Sequence, residues 1–256
     1  MAWSSPLSGG VTNRLPFIGS ARFPKEPYIF YQISTYKSKP IFDKPTARAV
    51  GILFWRCIFN TNELTMGSLF DGIGGFPLAA QRCGIRPMWA SEIEPFPVDV
   101  TKLRLPGMMH VGDITKLNDA DLPPVDVITG GSPCQDLSVA GARAGLAGSR
   151  SGLFMEQTRI VKEMRHADLQ RGRPDVLVRP RFMVWENVPG AFSSGEPKGE
   201  DFRIVLEEII RIVFDSVSVP GPDTGRWESA GCILLGDSFS LAWRVLDAQL
   251  CEASHN

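Results

Sequence analysis

A short β-branched run followed at once by two glycines is the feature that most constrains the fold of this chain. Residues 125–129 (Val-Asp-Val-Ile-Thr) have the length and composition of a buried strand. Gly130 and Gly131 then allow a sharp bend, and Pro133 fixes the backbone angle φ just before Cys134. The sequence therefore predicts a thiol on a turn that faces a cleft, which suits a nucleophile. The alternative is a small core hydrophobe, the usual role of an isolated cysteine.

From Met66 onward, apolar runs of strand length alternate with amphipathic stretches of helix length. This pattern predicts an α/β domain with a mostly parallel sheet. Strands are expected at residues 66–70, 87–91, 108–111, 125–129, 182–185 and 241–246, and helices at 76–83, 96–105, 153–164 and 202–214. Polar groups that end successive strands should then form a pocket at one edge of the sheet.

Two segments near the end of the domain have purely structural interpretations. In the predicted helix 202–214, Glu207, Glu208 and Arg211 are expected on a solvated face. Residues 219–231 are rich in Pro and Gly and are expected to form a surface loop. No function is assigned to either segment.

The bulk composition excludes few functions. The chain has 43% hydrophobic and 21% charged residues and a formal net charge of −1, so any positive surface that faces a nucleic acid must be local. The five cysteines include no Cys-x-x-Cys pair and the three histidines are scattered, so neither a metal site nor a disulfide framework is expected. No apolar run is long enough to span a membrane, which makes a reducing cytoplasm the expected location.

The first 65 residues differ from the rest of the chain. They are rich in Pro, Ser and aromatic residues, and they carry eight Lys or Arg against three acidic residues. Apart from the apolar patch at residues 50–59, they show no sustained helical or alternating period. We expect residues 1–65 to be a poorly structured N-terminal extension, with a targeting segment as the alternative.

A glycine-rich turn follows the first predicted strand, at residues 70–75 (Phe-Asp-Gly-Ile-Gly-Gly). Such a turn lets backbone N–H groups and a helix dipole meet the polar end of a ligand. Glu92 ends the next strand about 20 residues later, where an acid can accept the ribose hydroxyls of an adenosine, and Asp113 ends the third strand. Spacing alone leaves NAD and S-adenosylmethionine open, although Pro77 replaces the third glycine of the dinucleotide fingerprint and disfavours NAD.

Three motifs in combination resemble those of the cytosine-C5 DNA methyltransferases. They are the F-x-G-x-G turn that begins at Phe70, the Ser-Pro-Cys-Gln element around Cys134 and the Glu-Asn-Val element that begins at Glu186. The resemblance implies a Rossmann-like methyltransferase fold with S-adenosylmethionine as cofactor, and it assigns the adenine amino group to Asp113. The cofactor-binding residues that it implies are Phe70, Asp71, Gly72, Gly74, Gly75, Glu92, Ile93, Asp113, Ile114 and Leu153.

The same resemblance implies the chemistry. Cytosine C5 is a poor nucleophile, and addition of the Cys134 thiolate at C6 creates an enamine whose C5 can attack a sulfonium methyl. The catalytic residues that it implies are Cys134, Glu186 and Asn187, with Glu186 placed where an acid can share a proton with N3 of the base. The base that later removes the C5 proton is not identified. Because the target cytosine is stacked in double-stranded DNA, the implied partner, it must be flipped out.

The implied substrate contacts lie close to the thiol. The Ser132 carbonyl should face the cytosine amino group, and residues 136–150 match a mobile loop that closes over DNA. The substrate-binding residues implied are Ser132, Pro133, Gln135, Ser138, Arg143 and Arg150. The two arginines could contact phosphates or could simply be solvated surface.

The resemblance ends before the whole family pattern is reached. It covers residues 66–249, no Q-x-R-x-R element follows, and residues 250–256 form a tail outside the pattern. We therefore expect a partial catalytic domain at 66–249, incomplete at its C-terminus. One reading is a DNA (cytosine-5-)-methyltransferase of the restriction-modification type, completed by a separate C-terminal chain. The alternatives are an inactive remnant or an S-adenosylmethionine-binding module, and, disfavoured, an NAD-linked oxidoreductase.

Overall fold

The computed structural model describes residues 31–32, 63–118, 122–133, 152–236 and 238–246. The strands are β1 (Tyr31–Gln32), β2 (Thr65–Leu69), β3 (Arg86–Ser91), β4 (Met109–His110), β5 (Val127–Gly130), β6 (Phe182–Trp185), β7 (Ala230–Leu235) and β8 (Phe239–Arg244). The α-helices are α1 (Gly75–Arg82), α2 (Pro95–Arg104), α3 (Gly152–Gln170) and α4 (Glu200–Ile210). Short 3-10 helices occur at Ile114–Lys116, Asp175–Leu177 and Pro189–Ser193.

The strands described form one eight-stranded sheet in the order β4-β3-β2-β5-β6-β1-β8-β7. The five strands from β4 to β6 pair in parallel, which confirms the predicted α/β fold with a mostly parallel sheet. The short strand β1 is antiparallel to both of its neighbours, and β7 and β8 form an antiparallel hairpin. In the parallel part, Leu69 is in register with Ser91 and Gly130, and Gly130 is in register with Trp185. These four strands therefore end at one level.

Helix α4 shows why these sequences form helices packed on the sheet. Its apolar residues recur at spacings of three and four, which puts them on one face. Those on this face are Phe202, Val205, Leu206, Ile209 and Ile210, each at most 1% exposed. Burying each such side chain contributes about 1.5–3 kcal/mol. None of the helices in the described ranges is long and apolar enough to cross a membrane.

An aromatic cluster centred on Phe202 connects the hairpin to the parallel part of the sheet. The ring centroid of Phe202 lies 4.6 Å from Phe192, 5.5 Å from Trp227, 5.7 Å from Trp243 and 6.4 Å from Trp185. The indole N–H groups of Trp227 and Trp243 both donate to backbone carbonyls, so their burial leaves no donor unsatisfied. Side chains from α4, β6, β8 and two connecting segments thus share one apolar core.

The segment 219–231 is largely the surface loop that its composition predicted, with exceptions at two buried residues and at its end. Val219 and Trp227 are only 4% and 5% exposed, and β7 already begins at Ala230. Pro and Gly content reports local turn preference, whereas the burial of Trp227 depends on its contact with Phe202 from a remote helix. Strand β7 and the two buried positions were therefore missed, because they have no local sequence signal, whereas β8 lies within two residues of the predicted strand 241–246.

The expected solvated face of α4 is also wrong at one position. Glu207 is 5% exposed, and its carboxylate accepts hydrogen bonds from Arg203, from Arg211 and from the backbone N–H of Val219. Two guanidinium groups and one amide offset the cost of removing this carboxylate from water. Glu208, by contrast, is half-buried and pairs with Arg211.

Replacing Glu207 tests this buried cluster. Glu207→Ala should lower the free energy of unfolding by about 2 kcal/mol, because it leaves the buried Val219 N–H without an acceptor and removes one of the two carboxylates that bind each of Arg203 and Arg211. The matched control is Glu63→Ala, which removes an ion pair with Arg86 whose side chains are more than half exposed, and it should cost less than about 1 kcal/mol. Urea unfolding monitored by tryptophan fluorescence measures both. Equal losses in the two variants would contradict the assignment.

Candidate active site

Four segments that the sequence analysis singled out meet at the carboxyl edge of the sheet. Phe70, Glu92, Gly131 and Glu186 each come directly after the last paired residue of β2, β3, β5 and β6. Their order across the sheet is that of the strands, β3-β2-β5-β6. Since neighbouring strands are about 4.8 Å apart, the four positions form a row about 14 Å long. The predicted pocket at one edge of the sheet therefore has a geometric basis.

The glycine turn after β2 forms one end of the site. Phe70 has φ 53°, a conformation rarely adopted by a residue with a side chain, and strain of this kind is concentrated at functional sites. Gly74 has φ 85°, and a Cβ added there would lie 2.7 Å from Cγ2 of Thr101, so α2 packs directly against the turn. Gly72 and Gly75 border open space instead. A ligand can therefore approach the backbone beside the N-terminus of α1, which no side chain caps.

Glu92 ties this turn to the end of β3. Its Oε2 accepts a hydrogen bond from the Gly72 N–H at 2.8 Å, and its Oε1 accepts from the N–H groups of Ile93 and Glu94 at 2.8 and 3.0 Å. A carboxylate offers about four acceptor positions, so these bonds orient the group and leave capacity for a ligand hydroxyl. The side chain of Ile93 is exposed beside it and offers an apolar surface.

The loop after β4 presents a second oriented carboxylate. Oδ1 of Asp113 accepts from the backbone N–H and the hydroxyl of Thr115, at 3.0 and 2.8 Å. These bonds, with a smaller contribution from Lys116, hold the pKa of Asp113 below its ordinary value, so the group remains an ionised acceptor. The loop is tied back to β3 because the Ser91 hydroxyl donates to the Gly112 carbonyl at 2.6 Å.

Asp71 is a buried carboxyl group with no hydrogen-bond donor in bonding geometry among the described residues. It is 6% exposed, and burial raises its pKa to about 6. The hydroxyl of Ser68 opposes this shift in part, and the negative charge of Glu92 adds to it. An orphaned carboxylate beside a glycine turn can receive a cationic ligand group, which would compensate its desolvation.

The turn after β5 forms the other end of the site. A Cβ added to Gly131 would lie 2.7 Å from Oε2 of Glu186, so the carboxylate rests against the glycine backbone. The Glu186 N–H donates to the Gly130 carbonyl at 2.9 Å and extends the pairing of β5 with β6 by one residue. Glu186 is exposed on the rim of the edge. The acid thus lies beside the segment that leads into Cys134.

Ser132 is held from two sides by residues at the end of β6. The indole Nε1 of Trp185 donates to its hydroxyl at 3.0 Å, and Nδ2 of Asn187 donates to its carbonyl at 3.1 Å. The Asn187 amide is itself oriented, because its Oδ1 accepts from the Val188 N–H at 2.8 Å. Asn187 therefore fixes the backbone next to the turn, and the Ser132 carbonyl keeps a second lone pair for a substrate donor.

The predicted site residues differ in how far the structure places them. Pro133 is exposed beside the turn, Leu153 is half-buried at the start of α3, and Ile114 is buried in the core. Five predicted residues lie outside the described residues, namely Cys134, Gln135, Ser138, Arg143 and Arg150. Within the described ranges, His, Cys, Asp and Glu side chains form no group of three or more that could hold a metal ion.

Gln157 is a site residue that sequence analysis missed. It is fully buried on α3, its Nε2 donates to the Val184 carbonyl at 3.2 Å, and its amide lies against Gly130, where an added Cβ would be 2.5 Å from Oε1. Its available signal was a polar residue in the apolar stripe of the helix, three positions after Phe154 and four before Val161. The amide supports the seam between β5 and β6 beneath both turns.

The fold is of the Rossmann-like α/β type that methyltransferases adopt, with polar turns gathered at one edge of a mostly parallel sheet. A family model described as C-5 cytosine-specific DNA methylase matches residues 64–215, more than half of the chain. The chain therefore belongs to the C-5 cytosine-specific DNA methylase family, as its motifs indicated.

Individual relatives match over part of their length. A DNA N-6-adenine-methyltransferase of Escherichia phage P1 is 33% identical over 210 residues, which cover 73% of this chain and 26% of that protein. The type II methyltransferase M1.ScrFI of Lactococcus lactis subsp. cremoris is 31% identical over 156 residues, or 60% of this chain and 36% of the relative. The match to the crystal structure of the S. pombe Dnmt2 methyltransferase covers 57% of this chain and 40% of that chain, with 22% identity and a TM-score of 0.39. The chain thus spans well under half the length of these proteins.

The pH dependence of stability tests the buried state of Asp71. Because its pKa is raised to about 6, its contribution to stability is fully present below the ordinary value of 3.8 and is lost as pH rises through about 6. Asp71→Asn removes this loss, so the variant should gain stability over the wild-type chain as the pH increases from 5 to 7.5. Urea unfolding midpoints across this range provide the measurement.

Asp113→Asn serves as the control of opposite sign. Because the pKa of Asp113 is lowered, the ionised group stabilises the fold at pH values above its ordinary pKa, and this stabilisation is lost as the pH falls. The free energy of unfolding of Asp113→Asn should therefore fall furthest below that of the wild-type chain at neutral pH. A stability difference between Asp71→Asn and wild type that stays constant with pH would show that Asp71 ionises freely.

Proposed function

We propose that this chain carries the donor-binding and nucleophile-bearing part of a DNA (cytosine-5-)-methyltransferase. The observation that most supports this is the contact of Glu186 with Gly131, three residues before Cys134, at the sheet edge that also carries the glycine turn. A proton-sharing acid, the approach to a thiol and a nucleotide-type pocket then share one rim. The proposed catalytic domain comprises residues 66–249, and the expected location is the cytoplasm.

The donor end of the edge fits S-adenosylmethionine. When bound, this cofactor supplies an electrophilic methyl group. In the proposed arrangement, Glu92 accepts hydrogen bonds from the ribose and Asp113 accepts one from the adenine amino group, while Ile93 covers the ring. Asp71 is ionised above about pH 6 and pairs with the cationic amino-acid end. The open backbone at Gly72 and Gly75, with Phe70 and Gly74 shaping the turn, completes the cradle.

At the other end, the Cys134 thiolate adds to C6 of cytosine, and electron density moves toward C5 and N3. Glu186 shares its proton with N3, so that negative charge does not accumulate on the ring. After methyl transfer to C5, loss of the C5 proton to a base lets the thiolate leave and restores aromaticity. Asn187 is a positioning residue in this scheme, because its amide holds the Ser132 carbonyl.

Double-stranded DNA is the proposed substrate, with the target base flipped out to reach both the thiol and the methyl donor. Glu186 and Pro133 are exposed, which leaves the chemical end open to a macromolecule. Arg143 and Arg150 are proposed phosphate contacts. The chain spans a minor part of the length of these relatives, and a complementing C-terminal chain is a proposed partner.

The relative named as an N-6-adenine methyltransferase raises a second candidate product. Methylation of an exocyclic amino group needs no covalent addition to the ring, so it gives no role to a thiol beside a carboxylic acid. The presence of both the Ser-Pro-Cys-Gln and the Glu-Asn-Val elements, and the family match over residues 64–215, favour cytosine. Nucleoside analysis of DNA labelled with a radioactive methyl donor distinguishes 5-methylcytosine from N6-methyladenine.

Covalent trapping tests the proposed chemistry. A duplex containing 5-fluorocytosine in each candidate context, with S-adenosylmethionine, should form an adduct that survives denaturation, because fluorine blocks release of the thiol. Cys134→Ser should abolish the adduct, and Cys83→Ser, which removes an exposed free cysteine, should retain it. An adduct that persists in Cys134→Ser would refute the assignment. Cofactor binding by calorimetry without any adduct would indicate a donor-binding module without catalysis.

A separate prediction concerns the contact between Gly131 and the Glu186 carboxylate. In Gly131→Ala, the added methyl would displace the flexible Glu186 carboxylate and not the backbone, so the fold should persist while adduct formation slows by roughly 10- to 100-fold. Gly107→Ala is the matched control, since a Cβ there meets nothing within 4 Å. The rates of adduct formation of the two variants are measured on denaturing gels. Equal rates would show that the position of Glu186 does not affect the reaction.

A further inference from the structure

Arg159 on α3 lies in a hydrogen-bonded cluster between that helix and the loop that follows β4. Its Nε donates to Glu156 at 2.7 Å and its Nη1 to Glu163 at 2.6 Å, one turn before and one turn after it on the same helix. Its Nη2 donates to the backbone carbonyls of Ile114 and Leu117, both at 3.3 Å. The two carboxylates orient the guanidinium, and its remaining edge holds the loop.

This loop is the one that carries Asp113. It follows β4, a two-residue strand at the edge of the sheet, so strand pairing gives it little support. Besides the bond of the Val111 N–H to the Ala90 carbonyl and the buried Ile114 side chain, side chains of other elements anchor it at two points among the described residues. These are the Ser91 hydroxyl on Gly112 at one end and Arg159 at the other. Asp113 lies between these anchors, and its own carboxylate is committed locally to Thr115. The position of Asp113 relative to Glu92 therefore depends on both anchors.

The guanidinium is suited to this role. Burial works against its charge, but Glu156 and Glu163 more than offset that effect and raise the pKa of Arg159 above its ordinary value. A planar fork with five N–H donors can satisfy two carboxylates and two carbonyls together, which an ammonium group cannot match in geometry. The charge-assisted bonds to the loop are thus maintained wherever the protein is folded.

We propose that Arg159 is a positioning residue for donor binding, which holds the Asp113 loop at the distance from Glu92 that an adenosine group requires. This inference rests on the proposed methyl-donor site. In this proposal α3 supports two parts of the site, because Gln157 contacts the junction of β5 and β6 and Arg159 contacts the Asp113 loop.

The chain contains a matched control for this residue. Arg203 on α4 has the same local arrangement, with Nε donating to Glu200 three residues before it and Nη1 donating to Glu207 four residues after it. Its partners among the described residues, Glu200 and Glu207, both lie on α4, far in sequence from the Asp113 loop. Arg203→Met therefore removes an equivalent set of helix ion pairs without touching the donor loop.

Calorimetric titration with S-adenosylhomocysteine measures the effect on the intact chain. Arg159→Met should weaken binding by about 10-fold or more, since two charge-assisted bonds that position the loop are lost. Arg203→Met should leave affinity within about twofold even if it lowers stability. Adding Asp113→Asn to Arg159→Met should weaken binding much less than Asp113→Asn does in the wild-type background, because both act through one contact. Equal losses in the two arginine variants, or an additive cycle, would overturn the proposal.

Amide hydrogen exchange on the ligand-free chain tests whether Arg159 holds the loop, independently of whether the chain binds a methyl donor. Faster exchange at residues 113–117 in Arg159→Met, with no change there in Arg203→Met, supports the positioning role. Unchanged exchange in that loop overturns it. If the wild-type chain binds no S-adenosylhomocysteine, the proposed donor site fails, and the exchange result alone then decides whether Arg159 holds the loop.

Discussion

The parallel hydrogen-bond ladder at the centre of the sheet is the constraint on which the rest of the structure depends. It fixes Leu69, Ser91, Gly130 and Trp185 in mutual register, so four separate segments leave the sheet at the same level. A shift of β5 by one residue would turn its side chains to the opposite face and carry its turn away from the others. Assembly of the edge is thus a consequence of strand pairing, before any side chain of the site makes a contact.

Each end of this edge is then refined by a different device. At the end formed by the turns after β2 and β3, backbone N–H groups orient carboxylates, as Gly72 orients Glu92, while the buried oxygens of Asp71 have no hydrogen-bond donor among the described residues. At the end formed by β5 and β6, the absence of a side chain at Gly131 lets Glu186 approach the backbone. The buried side chains of Trp185 on β6 and Gln157 on α3 donate hydrogen bonds to Ser132 and to Val184, and these bonds stabilise the exposed edge.

Much of this arrangement could be predicted from local sequence, and the remainder could not for an identifiable reason. Continuous apolar runs located the parallel strands to within about two residues. Glycines marked the turns after β2 and β5, and Glu92 was expected at the end of its strand. What local sequence could not predict is the burial of Glu207, of Trp227 and of Gln157, because each depends on a partner far away in the chain. A helical glutamate looks the same in sequence whether its partner is water or a remote amide.

The two-residue strand β1 has a consequence for how the sheet is held together. Tyr31 and Gln32 pair with Phe182 and Met183 on one side and with Ser240 and Leu241 on the other, so the hairpin joins the parallel strands through a very short ladder. The hairpin is therefore held to the rest of the sheet mainly by the aromatic cluster around Phe202. Apolar burial weakens on cooling, so this side of the sheet should be the region most susceptible to cold-induced loosening.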